Sequence, residues 1–262
     1  MLRLFLALVV LFLSVNTAYA DHMLRHDLGK VQIFTGMMFT PRNILKYNDF
    51  ENRADEVVGG EQMSPYVGIV VGLGGKWSAG LEYAANTSDN YMPMISDQAL
   101  ARVNQIIAPE GLQLPSGSMH FDGTVHNTHV TINYHPDYNW TFFAGDNYIS
   151  TNVTFDTGLK GTPLDKVRLS SNNHRLVVGV RYGRLVGHKT VAHALVAGGN
   201  GFFRAGAGIS VILDKHVNWE FGYHYVHAKN VLSSELDLLG MKSPTNLDTQ
   251  SSSFYTGFSF LF

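Results

Sequence analysis

The stretch Phe254-Tyr255-Thr256-Gly257-Phe258-Ser259-Phe260-Leu261-Phe262 constrains the fold of this chain most tightly. Successive side chains of a β-strand point to opposite faces. Here that puts Phe254, Thr256, Phe258, Phe260 and Phe262 on one face and Tyr255, Gly257, Ser259 and Leu261 on the other. A soluble strand hides its apolar face and wets the other. An aromatic outside over a small or polar inside is the inverse, and fits a strand with lipid outside and a packed or wet lumen inside.

The rest of the chain narrows the choice. Arg3, the apolar run Leu4 to Leu13 and Ala18-Tyr19-Ala20 make a basic, apolar and small-residue sequence in series. Met1–Ala20 therefore reads as a cleaved signal peptide, with residues 21–262 as one barrel domain. Beyond it no run of about eighteen apolar residues exists, so any membrane crossing must be made by strands. The chain has no cysteine, which rules out a disulfide scaffold. Only 15% of residues are charged, while 26 are Gly and 12% are aromatic, a balance suited to a surface that largely faces lipid. A formal net charge of -2 speaks against a nucleic-acid partner.

Alternating segments recur along the chain. Lys30–Thr40 precedes Pro41; Ser64–Gly74 and Trp77–Ala85 flank a Gly-Gly-Lys turn; Gly123–Tyr134 and Trp140–Ser150 flank His135–Asn139. Asn172–Tyr182 follows, then the weakly patterned Thr190–Gly198, then Phe202–Leu213 and Val217–His227 about Asp214–His216. Gly183–Lys189 reads as a turn. With Phe254–Phe262 the expectation is an all-β, antiparallel, up-and-down transmembrane barrel: nine clear strands with Thr190–Gly198 as the tenth, or eight as the alternative if one of the nine is not in the membrane. Three of these hairpins place a Trp directly after a short turn: Trp77, Trp140 and Trp219. With Tyr83, Tyr182, Tyr223 and Tyr225 they read as interfacial aromatic girdles.

Four polar stretches read as long loops on one side: Arg42–Gln62, Asn86–Asp122, Thr151–Ser171 and Ala228–Gln250. In the second, Ser96–Ala108 carries Leu100, Val103 and Ile106 at helical spacing after a capping Ser, predicting a short helix in an extracellular loop. That helix would pack the loop on the rim, plug the lumen or meet a partner.

The faces opposite the aromatics carry Glu82, Arg175, Arg181, Arg204, Glu220 and His224. Buried charges of both signs must pair, which predicts a Glu–Arg network across the lumen. The network would hold the barrel shut or set the selectivity of a narrow conduit. His126 with His129, and His224 with His227, sit three apart and so on opposite faces of a strand, which argues against a chelating pair. No metal, cofactor or catalytic set is picked out by spacing.

The hairpin Phe202–Tyr225 (FFRAGAGISVILDKHVNWEFGYHY) and the ending FYTGFSFLF resemble small outer-membrane β-barrels of the opacity-protein and outer-membrane-protein-A type. The resemblance covers mainly the last third of the chain. It implies a Gram-negative outer-membrane location, contact with outer-membrane lipid and lipopolysaccharide, and an assembly signal at Phe258, Phe260 and Phe262 read by the barrel-assembly machinery. It carries no catalytic residue across. The expected role is structural or adhesin-like, with the long loops meeting a host or surface ligand; a narrow channel for small solutes comes second, and a lipid- or peptide-modifying enzyme third.

Overall fold

A computed structural model describes residues 28–48, 54–59, 62–91, 101, 104–105, 108–113, 120–156, 166–238 and 241–262. Its strands are β1 (Val31–Asn48), β2 (Ala54–Gly59), β3 (Gln62–Gly74), β4 (Trp77–Tyr91), β5 (His120–Tyr134), β6 (Trp140–Asp156), β7 (Lys166–Gly187), β8 (Thr190–Gly199), β9 (Phe202–Asp214), β10 (Val217–Leu238) and β11 (Met241–Leu261). β2 and β3 both pair with β1, end to end, through Asn43↔Gly59 and Thr40↔Gln62. They form one interrupted stave, so the eleven segments make ten staves.

The sheet closes on itself. β11 returns to β1 from Gln32↔Leu261 to Tyr47↔Leu247, and the Phe262 N–H donates to the Val31 carbonyl at 2.8 Å. Over the height that all ten staves share, closure leaves no free edge, as lipid requires when no water can satisfy backbone groups. β8 pairs with β7 on one side and β9 on the other, so Thr190–Gly199 is the tenth stave. Its apolar alternation is faint because its inward positions Val191, Leu195 and Ala197 are as apolar as the outward Ala194 and Val196.

The staves run further than the apolar pattern predicts. Pro41 does not end β1; it sits in a bulge between Phe39 and Arg42, where its missing N–H does no harm to the ladder. β1 then continues to Asn48 and β2 occupies part of the expected Arg42–Gln62 loop. The expected loop Ala228–Gln250 is largely a hairpin, with β10 and β11 paired to Leu238↔Met241. β4 extends to Tyr91, β6 to Asp156, and β7 spans Lys166–Gly187, absorbing most of the Gly183–Lys189 turn. Alternating hydrophobicity reports lipid contact, whereas the ladder needs only backbone groups, so polar strands escape the pattern. Of Ser96–Ala108, the residues Ala101, Asn104 and Gln105 are helical and Ala108–Glu110 is a 3-10 turn; the remainder of that stretch lies outside the described residues.

Turn chemistry matches the staves at the end where the connections are short. Gly75 and Lys76 both have positive φ, at 58° and 72°, which gives the two-residue hairpin twist of a primed turn. Asp137 Oδ1 accepts from the N–H groups of Asn139 and Trp140 at 2.7 and 3.0 Å, locking the turn before β6. The opposite end carries short connections as well: β10 and β11 are separated by two residues, and β8 and β9 join through Asn200-Gly201 between Gly199 and Phe202. Above that turn β7 and β10 meet directly. The Arg175 guanidinium donates to the carbonyls of Gly201 (2.7 Å), Asn200 (3.3 Å) and Lys229, and Asn173 Nδ2 donates to the Val231 carbonyl at 2.9 Å.

Candidate functional site

The lumen is crossed by one charged layer. Glu82 on β4 meets Arg204 on β9 at 2.8 Å (Oε2 to Nη1) and Arg181 on β7 at 3.4 Å (Oε1 to Nη2). These staves are far apart in the wall, so the contacts span the interior. Around the pairs lie rings: His224 stacks on Tyr255 with centroids 4.5 Å apart, and Tyr66 meets Tyr255 edge-on at 5.8 Å. Tyr255 Oη is hydrogen-bonded to His193 Nε2 at 2.7 Å. Gly222 makes room for this stack, since a Cβ there would strike the Tyr255 ring.

Two small cavities flank the layer, of about 90 Å³ toward the short turns and about 100 Å³ toward the long connections. Tyr66, Glu82, Arg204, His224 and Tyr255 line both, so they form the partition between them. Glu220 lines only the cavity on the short-turn side. Either space holds a few water molecules and falls well short of the roughly 300 to 1,000 Å³ of a ligand pocket. In the upper cavity, His129 Nε2, Tyr66 Oη and Asn127 Oδ1 are buried without a protein partner, as suits groups that face water.

Both ends of the lumen are filled differently. Near the short turns His135 accepts or donates at both ring nitrogens, to Ser78 at 2.9 Å and Thr141 at 3.0 Å, and Asn133 donates to Ser78 at 3.0 Å. Toward the long connections, Phe143, Ile149, Val177, Leu195, Phe202 and Val231 form an apolar core inside the wall. On β7 the alternation is sharp from Ser170 to Val178, with Val177 0% exposed next to Leu176 at 71%.

The outer face is an apolar band with aromatic margins. Trp77 packs on Tyr134 at 4.9 Å and Trp140 on Tyr182 at 4.6 Å, both beside the short turns. Trp219 donates to Thr256 Oγ1 at 3.0 Å. Six positions further along their strands, Tyr83 is hydrogen-bonded to His126 at 2.7 Å and Tyr225 packs on Phe203 at 6.1 Å. Tyr223 packs on Phe254 at 5.4 Å. Solved structures sharing this architecture include the outer membrane protease OmpT from Escherichia coli, 6% identical with a TM-score of 0.53 over 95% of this chain and 99% of that one. The fold is that of an outer-membrane β-barrel.

Lower similarity is found to the outer membrane protein OprG from Pseudomonas aeruginosa, 11% identical with a TM-score of 0.47 over 90% of this chain and 97% of that one. Ail, the attachment invasion locus protein of Yersinia pestis, is 10% identical with a TM-score of 0.37 over 90% and 99%. No family model and no curated protein matches the sequence. At 6% identity the likeness to OmpT speaks for the barrel and not for an activity.

The structure thus brings Glu82, Arg181 and Arg204 into contact, with Glu220 and His224 lining the cavities beside them. Arg175 stands apart: its guanidinium binds backbone carbonyls of the β8–β9 turn and of Lys229 and, among the described residues, pairs with no carboxylate, while its backbone N–H donates to Asp146 Oδ1 at 3.1 Å. Its place on the inward face of β7 alone could not tell the two fates apart. Sequence reasoning placed Tyr255 and His129 on inward faces without giving them a part in the charged layer, and missed Tyr66 and His193 as lumen residues. Inward parity was the available signal, since His129 opposes Glu82 and His193 shares the inward face of β8 with Leu195. Among the described residues no three metal-ligating side chains are grouped.

Proposed function

We propose that the barrel is a surface-interaction protein of a Gram-negative outer membrane, adhesin-like, and non-conducting in its resting state. The observation that carries this is the contrast between its two halves. The Glu82 layer closes the lumen, while β7, β10 and β11 run on for 22, 22 and 21 residues as paired wall well beyond the aromatic margins. Short turns and both strand ends β1 and β11 would face the periplasm, and the tall wall the exterior. A rigid β platform presents a binding surface at low entropic cost, because its backbone is already ordered.

The direct test couples two measurements. Planar-bilayer recording should show no steady conductance, and shortening the β10–β11 hairpin by removing residues 232–247 should abolish adhesion to host-cell or bacterial surfaces while leaving assembly intact. Steady conductance in the native barrel, or undiminished adhesion after shortening, would overturn the reading.

The flanking cavities favour one second reading, a narrow conduit gated at the partition. Here Glu82→Gln or Arg204→Ala should produce openings absent from the native barrel; silence in both would remove it. An enzymatic role is not proposed, because the charged layer opens onto spaces too small for a lipid or peptide.

A further inference from the structure

The outer face is not uniform around the barrel. One register row, read across β6, β7, β8, β9, β10 and β11, is Trp140–Tyr182–Ala194–Ala207–Tyr223–Phe254, each residue directly opposite the next. Two braced ring pairs stand on either side of two alanines, with centroids 4.6 Å apart in Trp140–Tyr182 and 5.4 Å in Tyr223–Phe254. The result is an apolar groove of about 600 Å³ sunk into the wall over β8 and β9.

Width decides what can lie in it. The floor is two strands wide, roughly 10 Å at about 4.8 Å per strand. A helix with its side chains is about 10–12 Å across and would ride on the rings. The wall of a second barrel is convex over several strands and cannot reach the alanines either. Hydrocarbon chains are slender enough to reach them, and the groove already faces the acyl region of the bilayer.

Charge decides which lipid. The floor strands end at two adjacent turns, joined by the Ile212 N–H donating to the Lys189 carbonyl at 2.7 Å. These turns expose His188 and Lys189 on one side and Lys215 and His216 on the other. Among the side chains of these two turns the one carboxylate, that of Asp214, accepts from the Lys215 backbone N–H at 2.6 Å. Two ammonium groups and one carboxylate leave a net positive mouth at the end of an apolar groove.

We propose that this groove is a lipid site, holding the acyl chain of a phospholipid of the leaflet at the short-turn end, with its phosphodiester met by Lys189 and Lys215. The site is independent of what the long wall binds. It orders one lipid against β8–β9, the stave pair with the smallest outward side chains in this row.

Native mass spectrometry of the whole barrel, released from mild detergent after incubation with phosphatidylglycerol, tests it. The native barrel should retain one phosphatidylglycerol. The double variant Ala194→Leu/Ala207→Leu, which fills the floor, should retain roughly tenfold less, since each buried methylene contact is lost to the chain. Lys189→Gln/Lys215→Gln leaves the wall untouched and should lower retention of phosphatidylglycerol but not of neutral diacylglycerol. Heat-modifiable migration on gels reports that each variant is assembled. No retained lipid on the native barrel, equal retention by the filled variant, or a two-barrel mass lost on filling would each overturn the proposal.

Discussion

At the scale of single residues, the lumen and the lipid face obey opposite rules, and two substitutions separate them. Glu82 bridges two arginines while its side chain keeps 23% exposure and that of Arg204 17%. Breaking such a pair by removing one partner leaves unpaired charge, so Glu82→Gln should destabilise the barrel by about 3 kcal/mol, the low end for a buried pair. Urea titration of the native and variant barrels in lipid vesicles reads this directly, and an unchanged midpoint would show that water in the flanking cavities carries the charge. Val178 lies on the outer face of β7 between Val180 and Leu176, and is exposed. Val178→Lys should cost about 2–4 kcal/mol in the same titration if the site lies near the bilayer midplane. A cost near zero would place this row outside the membrane. Tyr255 and His193 show why the lumen was only partly legible. Charged residues on an inward face announce themselves, since they must pair. A tyrosine between Ser253 and Gly257 on its face, and a histidine between alanines, look the same whether they fill a lumen or a loop.

At the scale of elements, legibility followed lipid contact. Trp77–Ala85 and Phe202–Leu213 were readable because their outward residues are apolar; the upper parts of β10 and β11 were not, because polar residues interrupt both faces there and break the alternation that the backbone ladder does not need. The hairpin β8–β9 gives a prediction of its own. Arg175 holds its turn through three carbonyls, and Gly201 adopts φ +66° beneath it. Arg175→Ala should release that turn. Hydrogen exchange of the amides from Asn200 to Phe202 should then quicken by more than tenfold, the loss of about 1.4 kcal/mol of protection or more. Unchanged exchange would mean the turn is held by its strands alone. β11 carries the assembly proposal. Removing Phe262 costs only its outer-face side chain and the hydrogen bonds with Val31. It should nevertheless sharply lower the amount of barrel inserted in cells while leaving refolding from urea into vesicles nearly unchanged. Equal loss in both assays would make Phe262 a packing residue and not a signal.

At the scale of the whole molecule, closure is the dominant fact, and a closed sheet resists detergent. Samples left unboiled should migrate faster on gels than boiled ones, and coincident migration would contradict the barrel. The rim at the far end of this closed wall is not level. The β8–β9 hairpin stops at Gly199–Phe202, opposite Ala228 of β10, whereas β10 itself continues ten positions to Leu238. At about 3.3 Å per residue and a tilt near 40°, the drop is roughly 25 Å. The molecule is therefore a vessel with a spout. A fluorophore at Asn200 should be quenched by spin-labelled headgroups that leave one at residue 239 bright, and any body resting on the tall side must lean over the low one.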